Sequence, residues 1–280
     1  AKLNDIITKN PDHAAAHHYL IHVAESKRPE LAEASADALA PLMPNAGHLV
    51  HMPSHIFIRL GRYQDAYDTN VHAVNVDEDY IKQSKAQGIY PLMYYPHNVH
   101  FLSWSSMFTG RSGLAIEAAL KAKSILEMGV RKSSWGLGEN FRVQPIFVMV
   151  RFGKWQELLE MEKPFVKAQY LTGMWHYGRS MAYMKTGNMS AAKEELQKLQ
   201  ETVARFEEGI PGYSEGGALT NVLNLEIASS LVSGQMASLE GEFETAIYHL
   251  GTATRLEDSH VYAEPASWNF PTRHILGAIL

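Results

Sequence analysis

The chain has 280 residues, 46% of them hydrophobic, and carries 25 Lys and Arg against 30 Asp and Glu for a net charge of −5. That length supports a substantial core or an extended array, while the acidic balance offers nucleic acid no basic footprint. No apolar run approaches the ~18 residues that span a bilayer, the first residues do not resemble a secretion signal, and the absence of cysteine excludes disulfides, thiolate ligands and cysteine nucleophiles.

In chain order, AKLNDIITKNP (1–11) reads as the second helix of a pair whose first member lies upstream. HHYLIHVAE (17–25) puts His18, His22 and Glu25 on the next helix, and Pro44 closes the unit that KRPELA continues. GHLVHMPSHIFIRLG (47–61) is an amphipathic helix interrupted by Pro53, with His48, His51 and His55 at i, i+3 and i+7. At about 100° per residue these three lie within roughly 60° of one face. The carbonyl of Leu49 loses its usual donor at Pro53, so some of these histidines could instead serve backbone carbonyls. KQSKAQGIYPLMYYP (82–96) is loop-like and leads into HNVHF, which brings His97 and His100. The later elements are poorer in histidine, since ten of the 14 precede residue 101. Further loop-like stretches are RKSSWGLGE (131–139) and EEGIPGYSEGG (207–217). Between them, Trp175, His176, Tyr177 and Arg179 form a polar-aromatic group that either lines a groove or packs in the core. Glu240, Glu242 and Glu244 read as a solvated cluster at a helix start. The last stretch, FPTRHILGAIL, opens a helix without its partner, so both ends predict an internal piece of a longer array.

A spacing recurs through these elements. GRYQDA, GRSGLA, GKWQEL, GNMSAA and GEFETA begin at Gly61, Gly110, Gly153, Gly187 and Gly241, and 27 to 61 and 153 to 187 are both 34 residues. Seven residues before the turn stands a small residue at Ser54, Ser103, Ser180 and Gly234, but Leu20 and Ile146 break the rule. Five after it stands Ala32, Ala66, Ala115, Ala192 or Ala246, with Leu158 the exception. This pattern resembles the tetratricopeptide repeat (TPR). It implies an all-α, TPR-type superhelix (an α-solenoid) without a sheet, built as one array over 1–280 with units near 13–46, 47–90, 96–130, 139–170, 173–208 and 219–258. Helix breaks are expected near Lys27, Pro44, Gly61, Gly110, Gly153, Gly187 and Gly241.

In such arrays the first helix of each pair lines a concave surface. Counting back from each turn, His48, His51 and His55 fall at positions 2, 5 and 9 of theirs, and His97 and His100 at 2 and 5. His17, His18, His22 and Glu25 fall at 5, 6, 10 and 13 of the preceding one. Three successive concave helices therefore aim imidazoles at one groove, whereas the later ones present Asn140, Val143, Phe147, Met174, Tyr177 and Met181. Imidazole and carboxylate are ligands that zinc, copper, nickel and iron accept. HYLIH (18–22) has the spacing of a zincin helix but lacks the Glu after its first histidine, so it is not that motif.

Longer patterns sharpen the resemblance. HxxxxHxxIHxxE, GHLxHMPxHI, HNxHF and YxEPxxWxxPxRxxLGA are filled by His13, His18, His22, Glu25, His48, His51, His55, His97, His100, Tyr262, Glu264, Trp268 and Arg273. The chain is similar to a widespread group of bacterial tetratricopeptide proteins with these motifs, a group without an assigned reaction. Two functions stand side by side. In the first, the groove binds one or two transition-metal ions, with His22, His51 and His55 as first ligands. His18, His48, His97, His100 and Glu25 then serve as further ligands or supports, and Glu25 or Glu264 as a catalytic carboxylate for hydrolytic or oxygen chemistry. In the second, the chain is a non-catalytic scaffold for a peptide, protein or small molecule. No nucleic acid or membrane span enters either, and the cysteine-free composition fits a periplasmic or secreted setting better than a cytosolic one.

Overall fold

The computed structural model describes residues 2–129, 139–164, 168–207 and 215–280. These residues are helical with no strand among them, and the helices pack in adjacent pairs. None is long and apolar enough to cross a membrane. The chain divides into two compact units, Ala1–Gly129 and Val130–Leu280.

The first unit runs α1 (Lys2–Lys9), α2 (Ala14–Ala24), a 3-10 turn at Pro29–Ala32, α3 (Glu33–Leu42), α4 (Gly47–His51), α5 (Pro53–Arg59), α6 (Tyr63–Ser84), a π turn at Tyr90–Tyr94, α7 (Tyr95–Phe108) and α8 (Ser112–Gly129). Its core near α2 to α6 is built on Ile21, Leu39, Met52 and Ile56, with Ala32, Ala36 and Ala66 where helices approach closely. The stretch 82–96, expected as a loop, instead holds the end of α6 and the π turn that feeds α7. Pro91 falls in the first turn of this run, where a missing N–H deprives no helical carbonyl, and Pro96 stands where the π turn passes directly into α7.

The second unit runs α9 (Glu139–Arg142), α10 (Gln144–Arg151), α11 (Trp155–Glu160), α12 (Gln169–Lys185), α13 (Met189–Glu207), α14 (Glu215–Leu239), α15 (Phe243–Asp258) and α16 (Thr272–Gly277). The stretches RKSSWGLGE and EEGIPGYSEGG fall mostly on 131–138 and 208–214, outside the described residues.

The recurring turn has one physical cause. Gly61 and Gly110 both end a helix at φ +76°, a left-handed conformation that side chains disfavour, and Gly153, Gly187 and Gly241 repeat it. The small-residue position has another. Ser103 Oγ donates to the Ala115 carbonyl at 2.7 Å, and Ser180 Oγ to the Ala192 carbonyl at 2.8 Å. At the same place a Cβ on Gly234 would lie 3.1 Å from the Ala246 carbonyl oxygen. So the residue seven before the turn meets the carbonyl five after it, either through a hydroxyl or through no side chain at all. The histidine-bearing pair departs from this, as described next.

Candidate metal centre

Pro53 divides one helical run into α4 and α5, yet Met52 between them keeps helical angles (φ −52°, ψ −37°). His48, His51 and His55 therefore stay on one side of a nearly continuous helix. Ser54 occupies the small-residue position, but its Oγ donates to the His51 carbonyl at 2.7 Å rather than to Ala66. The Ala66 carbonyl is taken instead by Asn70 Nδ2 at 2.7 Å. That bond fixes which way the Asn70 amide faces, so Asn70 Oδ1 accepts from His51 Nδ1 at 2.7 Å. The proton of His51 is thereby held on Nδ1, and Nε2 carries the lone pair.

His51 Nε2 lies 2.7 Å from His55 Nε2. Behind His55, the carboxylate of Glu25 sits with Oε2 2.8 Å from Nδ1. The contact is an ion-pair approach and not an aligned hydrogen bond, and the carboxylate charge favours a proton on that nitrogen with the lone pair on Nε2. Glu25 ends α2, is buried, and reaches with Oε1 to within 3.1 Å of His22 Nδ1. His97, at the start of α7, completes a group in which one ligand atom from each of His51, His55 and His97 lies within 4.8 Å of the others. Phe101, one turn further along α7, closes this group on an apolar side, with ring centroids 4.5, 4.6 and 4.9 Å from His51, His55 and His97.

A second group, His18, His22 and His48, meets the same 4.8 Å limit. His18 Nε2 and His48 Nδ1 are buried without a hydrogen-bond partner among the described residues. Glu25, touching His22 on one side and His55 on the other, lies between the two groups. His22 is thus placed with His18 and His48, while His97 stands beside His51 and His55.

Four of the imidazoles are held neutral. Burial, then the neighbouring His55 and His97, keep His51 well below the usual histidine value, and burial with His55 and His100 does the same to His97. His48 is pushed down to about 4 by burial and by His18, His55 and His22, and His18 is lowered by burial and His22. Neutral rings with available lone pairs are what a metal ion requires.

His100 is buried on α7, one turn from His97 and outside both groups. His17 has a packing role, with Nδ1 2.9 Å from Ser35 Oγ and Nε2 2.8 Å from the Pro11 carbonyl. His13 caps α2 by accepting from Ala16 N. Glu264 and Tyr262 belong to the second unit, between α15 and α16, where Glu264 is half-buried. Trp268 is buried there, and Arg273 pairs with Asp258 at the surface. In the 175–179 group, Trp175 Nε1 donates to the Met161 carbonyl, while His176 and Arg179 both reach Glu195, so these three brace helices.

Asn70, Phe101 and a buried network around Asp77 went unread in the sequence. Asp77 accepts from Tyr90 Oη and Asn98 Nδ2, both at 2.7 Å, beside Gly47 at the head of α4. A signal for Asn70 and Asp77 existed. Ala66, Asn70, Ala73 and Asp77 follow i, i+4, i+7, i+11 spacing on the buried face of α6, and two polar residues in an alanine stripe need partners. The chain matches no protein-family model and no curated protein.

Proposed function

We propose that this chain is a metal-binding protein on a tetratricopeptide-type helical scaffold, holding one or two transition-metal ions among α2, α4–α5 and α7. His51, His55 and His97 hold one ion, His18, His22 and His48 hold the other, and Glu25 supplies a carboxylate between them. The donors are nitrogen and oxygen without thiolate, a set suited to zinc, copper, nickel or iron.

One observation carries the reading. Asn70 accepts from Nδ1 of His51 and the Glu25 carboxylate lies against Nδ1 of His55, and the Nε2 atoms of these two buried imidazoles face each other at 2.7 Å. Two lone pairs at that distance repel unless a ring proton or a metal ion lies between them. An imidazolium there is disfavoured, because burial and the surrounding histidines hold His51 well below its ordinary pKa. A metal ion takes both lone pairs and that of His97 as well. Three imidazoles on one ion would leave a coordination position for water or substrate, which suits metal-assisted hydrolysis or oxygen chemistry, while Glu25 behind His55 would orient that ring.

The test is elemental analysis of protein purified without added metal, followed by thermal unfolding with zinc, copper, nickel or iron after chelation. We expect bound metal in the parent and its loss in His51→Ala/His55→Ala, with the helical signal retained. His249→Ala, on α15, should keep the parent's metal content. A metal-free parent that no added ion stabilises would overturn the reading and leave the peptide-binding scaffold in its place.

A further inference from the structure

The two histidine groups differ in how far water reaches them. In one, the side chain of His22 is 40% exposed, and His18 and His48 are part-buried. In the other, His51 is fully buried and His55 is 2% exposed, with Phe101 packed against both rings. The two groups adjoin. The His48 ring is centred 6.3 Å from that of His51, and the His22 ring 6.0 Å from that of His55. Within the outer group, the His18 ring is centred 4.7 Å from His22 and 5.3 Å from His48.

A dication that leaves water for a buried site incurs the full cost of burying a charge unless new ligands replace its hydration shell. Neighbouring imidazoles remove that cost, because each lost water is exchanged for a ring nitrogen. His18 Nε2 and His48 Nδ1 are such nitrogens, both buried with no hydrogen-bond partner among the described residues. Glu25 lies along the same line, with Oε1 3.1 Å from His22 Nδ1 and Oε2 2.8 Å from His55 Nδ1. It sets a negative charge beside the step from one group to the next.

Resting on the metal-binding reading above, we propose that the outer group of His18, His22 and His48 is the entrance by which an ion reaches the buried group of His51, His55 and His97. An ion held at the outer group is presented to the inner nitrogens at an effective concentration far above that of the free ion. The competing entrance runs past His97, the part-exposed member of the inner group.

Stopped-flow mixing of the metal-free full chain with substoichiometric cobalt(II) tests this. The inner ion is followed by the part of the cobalt absorbance that His51→Ala/His55→Ala abolishes. His18→Ala is the informative variant, because the His18 ring packs on Tyr19, His22 and His48 and on no ring of the inner group. We expect filling of the inner site to slow by about 10-fold or more. Removal of the inner ion by excess chelator should slow by the same factor, with the equilibrium affinity of the inner site unchanged. Equal slowing in both directions marks a lost route, whereas a distorted site loses affinity. Parental rates of filling and release in His18→Ala would assign entry to the His97 side and overturn the proposal. A weakened inner site in that variant overturns it as well. A parent chain that takes up no cobalt overturns the metal-binding reading itself, and the entrance with it.

Discussion

Asn70 is the residue on which the tautomer of His51 depends, because its amide is turned by the Ala66 carbonyl before it meets the ring. Groups that orient a metal-binding imidazole are typically worth 10–100-fold in affinity. Asn70→Ala should therefore weaken metal binding by about that factor while the far-UV signal stays helical. Competition with a chelator of known affinity measures it, and parental affinity would show that the proton on His51 is not set from α6. Gly47 tests the head of the same helix. A Cβ there would stand 1.9 Å from Asp77 Oδ1, and Asp77 is fully buried and held by Tyr90 and Asn98. Gly47→Ala must displace either this network or α4, so we expect a loss of about 1–3 kcal/mol in chemical denaturation. His48 is the next residue, so metal affinity should fall with it.

At the scale of elements, helix ends separate left-handed turns built on glycine from one that is not. α6 ends at Lys85 with φ +50° and ψ +39°, the one non-glycine residue with positive φ among those described. Lys85→Gly should stabilise the protein by about 0.5–1 kcal/mol, because the strain is relieved at an exposed position. Gly110→Ala should do the reverse by about 1–2 kcal/mol, since φ rather than space demands glycine there. Urea unfolding of the two variants is a paired test, and a shift of the same sign in both would refute the argument. The helix pairs also show why one turn of sequence can carry two tasks. Ser103 and Ser180 tie a first helix to the carbonyl of its partner, whereas Ser54 turns back to His51, and Asn70 takes over the freed carbonyl.

Across the first unit, the histidine groups draw on α2, α4–α5 and α7, so an ion bound as proposed would cross-link helices that are distant in the chain. At 100 times Kd this stabilises the folded state by about 2.7 kcal/mol. Proton linkage acts on the metal-free protein as well. The folded pKa of His48 lies near 4, below its ordinary 6.5, so the unfolded chain takes up its proton first as the pH falls. This contribution is complete above pH 6.5 and is lost toward pH 4. The melting temperature of chelator-treated protein should fall across that interval, and less steeply in His48→Ala. In the second unit, burial raises the Glu195 carboxyl, but His176, Lys198 and Arg179 outweigh it and hold the group at about 2. Its contribution is present above about 4.5 and is lost only as the pH approaches 2.

Local chemistry carried much of this protein into view from the sequence. A glycine after an apolar helical stretch, a small residue seven before it and an alanine five after it are local or near-local demands of backbone conformation and close packing. The helix breaks they imply stand where the turns are. The histidines, too, were legible as a set, since i, i+3 and i+7 spacing places side chains on one face whatever lies opposite. Tertiary structure alone decided how that set is divided. Whether His22 sits with His55 or with His18 and His48 depends on the angle between α2 and α5, and no periodicity within one helix encodes an angle between two. Nor could spacing reveal that His51 owes its tautomer to Asn70 on α6, or that Asn269 Nδ2 donates to Gln144 Oε1 across 125 residues of sequence. Those roles arise from donors and acceptors that meet only after the helices have packed.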